Sequence, residues 1–512
     1  MKTQQSYRKF AIRILPSLTL AAALCFIAVP ITRAQAMGAG QDSKNIPLSQ
    51  VERKNRAPVS KDVLKVKFPR PFETKLPNGI TVLILEDRRL PTVNVNMQIF
   101  GAGGLYEPAD QRGIASLTAT MLREGTKTRS SKQFAEAADE MGANVNANSG
   151  FGVSVTAFNA SGLSENMDEW FGLLTDMLLN PTFPADELAK LKQRQLVNLR
   201  QQRTNPGFLA NERFFRAVYG NNPAAVNSMT AEFVQSVTPE MLAKWRADHY
   251  LPQNAILGIS GDVRASDLVP KLTKWFAAWQ QTSTKLDPPT GAKPVTVGKV
   301  LLVDRPNSVQ TTLTMGNISV DRRDPDYIAL WVLNRIFGGS GASRLFRIIR
   351  EEKGFTYNPY SGFSGTLIPG TWTAGCDCRT EVTDPAMAEF LNQIKILRDQ
   401  KIPTDELEDA KRGEVARFAL QLEQPAAVLN NALTLKIYGF PADYWDTYPA
   451  KVLALTAEEL QRVALKYYDP AAMQIVAVGD GSKIKPVMEK YGPVTVYGTD
   501  GKPVTATAPE SN

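Results

Sequence analysis

TPEMLAKWRADHYLPQNAILGISGD, residues 238–262, lies over TAEELQRVALKYYDPAAMQIVAVGD, residues 456–480, without a gap. The offset is 218, and Thr, Glu, Leu, Tyr, Pro and the terminal Gly-Asp coincide. Upstream, FPADELAKLKQRQ (183–195) matches IPTDELEDAKRGE (402–414) at an offset of 219. Two matches at nearly one offset predict a duplicated domain of roughly 220 residues. A period that long means tandem domains, because solenoid repeats are several-fold shorter.

Each half reads as α+β. In the first, GITVLILED opens on the turn signal Asn78-Gly79 and carries the apolar run Val82–Leu85, as a buried strand should. TVNVNMQIF then alternates Val93, Val95, Met97 and Ile99 with Asn94, Asn96 and Gln98, the period of a half-buried strand. Helical spacing is predicted over 113–124, 131–141, 163–179 and 185–203, with a strand at 152–158. The second half repeats the pattern, with strands near 299–303 and 309–315 and a helix at 324–337. The fold expected is two tandem homologous domains, 66–280 and 297–496. Each is a mostly antiparallel sheet packed with helices, and together they form half of a clamshell. Residues 281–296 carry two adjacent prolines in a polar stretch and read as a linker. Residues 37–65 read as an extended lead-in and 497–512 as a disordered tail.

The first 36 residues read as an export signal. Lys2, Arg8, Lys9 and Arg13 precede the apolar run ILPSLTLAAALCFIAVPI, and Ala34-Gln35-Ala36 supplies a small-residue cleavage site. The competing reading is an uncleaved membrane anchor. Leu24 before Cys25 is not the small residue that lipid attachment requires. A periplasmic protein, free of the membrane after cleavage, is expected. Removing residues 1–36 takes away five positive side chains and lowers the formal charge from +8 to +3. Nucleic acid is therefore not an expected partner. Only Cys376 and Cys378 remain after the cut; they share one face of a strand, as a strained bridge or as two small buried residues.

The chemistry is expected in GIASLTATMLREGT, Gly113–Thr126. On a helix, H-x-x-E-H presents two imidazoles to one zinc ion and a glutamate to its water. The frame here resembles that of the inverted-zincin peptidases of the insulinase–pitrilysin family. Ser116 and Thr120 stand at the histidine positions and Ala119 at the glutamate. The family's third ligand, a glutamate in a downstream helix, is expected within 185–203. There, Leu188 to Asn211 contains no Asp or Glu. The single histidine of the chain, His249, falls opposite Tyr467 of the second half, which favours packing or hydrogen bonding over ligation. Hydroxyls alone are poor zinc ligands. No metal is expected in this chain.

The resemblance covers nearly all of 66–490. Its most specific element is GGSGASRLFRIIREEKGFTYNPYSGF, residues 338–363. A segment of this form in the bacterial two-chain members carries an Arg/Tyr pair that faces the zinc helix across a chamber. The matching residues are Arg350 and Tyr357, whose donors suit a substrate carbonyl and its oxyanion. Gly338, Gly339 and Gly341 resemble the loop that lets an extended peptide approach the backbone. The competing reading places Arg350 in a solvated charge run and Tyr357 at the end of a strand. The resemblance implies a non-catalytic, substrate-binding subunit of a heterodimeric peptidase that digests peptides or unfolded polypeptides, zinc being held by a homologous partner. A scaffold or peptide-binding homologue without peptidase role is the alternative.

Overall fold

The computed structural model describes residues 66–504. The export signal, the lead-in 37–65 and the end of the tail, 505–512, lie outside the described residues. In the first half, β1 (Phe72–Lys75), β2 (Thr81–Glu86) and β3 (Thr92–Phe100) lead into α1 (Ile114–Met121) and α2 (Ser131–Glu140). β4 (Asn144–Ser149) and β5 (Val155–Leu163) precede α3 (Met167–Leu179), α4 (Ala185–Gln202) and α5 (Pro206–Tyr219). α6 (Ala231–Ser236), α7 (Pro239–His249), β6 (Ala255–Gly261) and α8 (Ala265–Trp275) complete it.

The strands order as β1-β2-β6-β3-β5-β4, and only the β2–β6 pair is parallel. The alternation of β3 does what its period dictates: Val93, Val95, Met97 and Ile99 are buried in the core beneath the sheet. The strand expected at 152–158 runs instead to Leu163, because β5 pairs with β3 over the full length of both. That pairing, with the Ser164 amide donating to Pro91 O at 3.0 Å, delays the next helix to Met167.

The second half follows the same plan. β7 (Lys299–Asp304), β8 (Gln310–Ile318) and α9 (Tyr327–Phe337) come first, then β9 (Tyr360–Phe363) and β10 (Thr371–Arg379). α10 (Thr383–Asp399), α11 (Thr404–Gln421), α12 (Pro425–Tyr438), α13 (Tyr444–Ala454) and α14 (Ala457–Tyr467) follow. β11 (Gln474–Gly479), α15 (Gly481–Met488) and β12 (Val494–Tyr497) close it. Its sheet runs β12-β7-β11-β8-β10-β9. The duplication breaks at one edge: β1 is antiparallel to its neighbour and β12 parallel to its own, since they come from opposite ends of the domain pair.

The halves are joined by exchange, within one compact unit. Helix α5 of the first half packs on β8 and β11 of the second sheet, and α12 of the second packs on β2 and β6 of the first. Leu209, Phe214 and Val218 are buried against Val303, Ile318, Val476 and Val478. Burying each large side chain contributes about 1.5–3 kcal/mol, so the two helices act as apolar pins. On the other side Leu429 lies over Gly258, where a Cβ would come within 3.0 Å of it. Asn96 adds a hydrogen bond to Asn430 Oδ1 at 3.3 Å. The chain from 281 to 296 has no regular structure, and Asn222 Nδ2 holds it by donating to Thr290 O at 2.7 Å.

One expectation is corrected here. The tail, read as disordered from 497, is anchored as far as residue 504. Tyr497 pairs with Pro503, Arg213 stacks 3.7 Å over the Tyr497 ring, and its guanidinium donates to Gly501 O at 2.9 Å. Composition marks Thr/Pro/Gly-rich segments as poor in local structure and carries no record of a distant guanidinium that orders them. No described helix is long and apolar enough to cross a membrane.

Candidate functional site

Helix α1 begins at a buried carboxylate. Gly113, at φ 107°, turns the chain into the helix in a conformation other residues rarely adopt. The N–H groups of Gly113 and Ala115 then donate to Glu107 Oε2 and Oε1 at 2.8 and 2.9 Å. Two otherwise unpaired amides at the positive end of the helix are satisfied by one side chain. Burial nevertheless outweighs these bonds and pushes the Glu107 carboxyl up to about 7. Sequence reading missed Glu107; its signal was an acid a few residues ahead of a helix start in YEPADQRG.

Ser116 and Thr120 lie one turn apart on α1, where the zinc frame would place its imidazoles. The Thr120 hydroxyl is used up within the helix, donating to Ser116 O at 2.9 Å. Ala119 is buried and presents only a methyl group. Thr120 opens onto a cavity of about 660 Å³ whose far wall is α4. From that helix the cavity receives Gln193, Arg194, Gln195, Val197 and Asn198, which offer amides, a guanidinium and a methyl surface where a ligand carboxylate would be needed. This donor set does not fit zinc: there is no imidazole or thiolate, and one carboxylate, Glu124. Among the described residues no group of three or more His, Cys, Asp or Glu is arranged to hold a metal ion. His249 is engaged elsewhere, with Nδ1 2.6 Å from Gly101 O and its ring stacked on Trp245. Its counterpart Tyr467 donates to the buried Asp326 at 2.8 Å, so both positions serve packing and hydrogen bonding.

The second half presents a different arrangement. Residues Phe346–Glu352 form a π-helical segment, a widened turn frequent at functional positions. Arg344, just before it, is buried and pins the segment to α11 through a two-pronged ion pair with Glu406 at 2.6 and 2.9 Å. Arg350 lies in the segment with its guanidinium carbon 4.1 Å from the centre of the Tyr357 ring and 4.4 Å from that of Phe346. Its Nε is 3.2 Å from Glu351 Oε1. Tyr357 is 72% exposed. The structure therefore brings Arg350 and Tyr357 into contact with each other, and adds Phe346, which sequence reading did not single out. It does not bring them to Thr120, whose cavity is walled by first-half residues alone among those described.

The glycines divide. A Cβ on Gly338 would stand 2.5 Å from the Ser361 amide, and one on Gly339 2.6 Å from Asn334 Nδ2. Those two lack side chains so that the end of α9 can close on β9 and on itself. Gly341 faces open space. Cys376 and Cys378 are both buried and unbridged on β10.

Residues 81–231 match the family described as Insulinase (Peptidase family M16), and residues 236–414 match the Peptidase M16 inactive domain. An uncharacterized zinc protease of Rickettsia felis is 32% identical over 344 residues, covering 64% of this chain and 80% of the relative. A protein of Helicobacter pylori named non-peptidase homolog YmxG is 22% identical over 385 residues, covering 74% and 87%. The crystal structure of a peptidase M16 inactive domain from Pseudomonas fluorescens superposes with a TM-score of 0.74 at 25% identity, covering 80% of this chain and 98% of that one.

Proposed function

We propose a division of labour for this chain, which belongs to the insulinase (M16) peptidase family: it is the non-catalytic, substrate-holding subunit of an exported heterodimeric zinc peptidase. A homologous partner bearing H-x-x-E-H supplies the metal. Arg350 and Tyr357 hold and polarise the substrate carbonyl, the guanidinium as a permanent cation and the phenol as a neutral donor. The substrates are peptides or unfolded polypeptides, because a folded protein would not enter a chamber closed by two such chains. The location is the periplasm, reached through the signal at 1–36.

One observation carries this reading. The three motif positions hold no metal ligand, while Arg350, on the π-helical segment, is in contact with Tyr357 in the loop that follows it. The test is reconstitution. The isolated chain should not hydrolyse an unfolded protein, and adding an exported H-x-x-E-H homologue should produce activity that a chelator abolishes. Chelator-sensitive hydrolysis by this chain alone would sink the proposal. The relative named a non-peptidase homolog favours a second reading, a scaffold or peptide-binding protein with no peptidase role. It predicts that no zinc-bearing homologue gains activity from this chain.

A further inference from the structure

The cavity beside Thr120 has changed character along with the motif. Two guanidiniums, Arg123 and Arg194, share its wall with one carboxylate, Glu124. Glu124 is engaged: Oε2 accepts from Ser131 Oγ at 2.6 Å, and Oε1 is 4.0 Å from Arg123 Nε. Arg194 has no ion pair and no side-chain hydrogen bond among the described residues. The rest of the wall includes Val197, 52% exposed and one of few large apolar side chains left open to solvent, above the buried Leu191. A site that in the zinc frame would hold a cation thus presents an excess of positive charge beside an exposed apolar side chain.

We propose that this cavity binds the carboxyl end of a peptide. The free α-carboxylate engages Arg123 and Arg194, whose planar forks match a carboxylate's two oxygens. The apolar side chain of the last residue lies on Val197. An internal acidic side chain offers the carboxylate without the adjoining apolar group. The proposal goes beyond the peptidase reading, since it needs neither a partner nor zinc: the emptied catalytic position becomes an anchor for chain ends.

The experiment uses the chain alone and three fluorescently labelled decapeptides of otherwise identical sequence. One ends in leucine as the free acid, one in leucine amide, and one in leucine amide with an internal glutamate. Fluorescence anisotropy should give binding of the free acid about tenfold tighter than either amide. Raising salt from about 0.05 to 0.3 M should narrow that gap, as for partly exposed charges. Arg194→Gln should lose most of the preference and Arg194→Lys only part of it, with melting temperatures unchanged because Arg194 is exposed. Equal binding of acid and amide, no binding of either, or an unchanged preference in the Arg123→Gln/Arg194→Gln double variant would overturn the proposal. Equal binding of the glutamate peptide would overturn the chain-end assignment. None of these outcomes touches the reconstitution assay, so the two readings fail separately.

Discussion

The guanidinium of Arg350 rests against the ring of Tyr357, 4.1 Å from its centre. A cation over an aromatic face spends no N–H donor on that contact; Nε faces Glu351 Oε1 at 3.2 Å, and the two terminal nitrogens, unpaired among the described residues, stay free for a ligand. In the reconstituted heterodimer, Arg350→Ala should lower kcat by on the order of 10²-fold, the usual effect of losing a donor to an oxyanion. Tyr357→Phe keeps the ring on the guanidinium and removes only the hydroxyl, so its loss should be smaller but measurable. Wild-type kinetics in Tyr357→Phe would reduce the tyrosine to a support for Arg350.

Glu107 and His249 should give the stability of the chain opposing pH slopes. Burial holds the Glu107 carboxyl up at about 7, so between its ordinary value and 7 the folded state keeps a proton that the unfolded chain has lost. Stability from this group therefore rises on acidification through that window and falls as pH increases, by up to about 3 kcal/mol. Burial depresses His249, whose contribution is present above its ordinary value and lost as pH falls. Urea denaturation between about pH 5 and 8 should show a shallow profile in the wild type. In Glu107→Gln the curve should fall steadily towards acid. Parallel wild-type and variant profiles would refute the assignment.

The exchanged helices should make the two halves one cooperative unit. Phe214→Ala and Leu429→Ala remove apolar contact across the junction from opposite sides, and each should cost about 2–5 kcal/mol. Fluorescence and circular dichroism should still report one transition in the wild type. Two separated transitions there would show that α5 and α12 are not the pins described.

Chelation should leave the isolated chain untouched. A metal bound at a hundred times its Kd would add about 2.7 kcal/mol to stability, a shift easily seen in a melting curve. Dialysis against a chelator should therefore produce no change in Tm. A fall of several degrees would reveal a metal site that the donor set does not disclose.

Much of the fold was legible because it is written in short-range patterns. The period of two in residues 92–100 fixed which face of β3 is buried, and the offsets near 218 fixed the tandem plan. The boundaries that slipped, at Val155–Leu163 and Met167, did so because strand pairing with β3 overrode local spacing. At the site, Ser116, Ala119 and Thr120 could be placed from the frame alone. Glu107 could not be assigned as their cap, since an acid in a loop declares its partner only when the chain folds back.

The loss of the zinc frame's own ligands was legible in sequence: with one histidine there is no imidazole pair, and the stretch from Leu188 to Asn211 supplies no acid. What remains at that position was decided by tertiary structure. Whether Arg123 and Arg194 line one cavity and whether Arg213 orders the tail at Gly501 depend on contacts between residues distant along the chain. Such contacts arise from the packing of whole elements, which no local period or composition encodes.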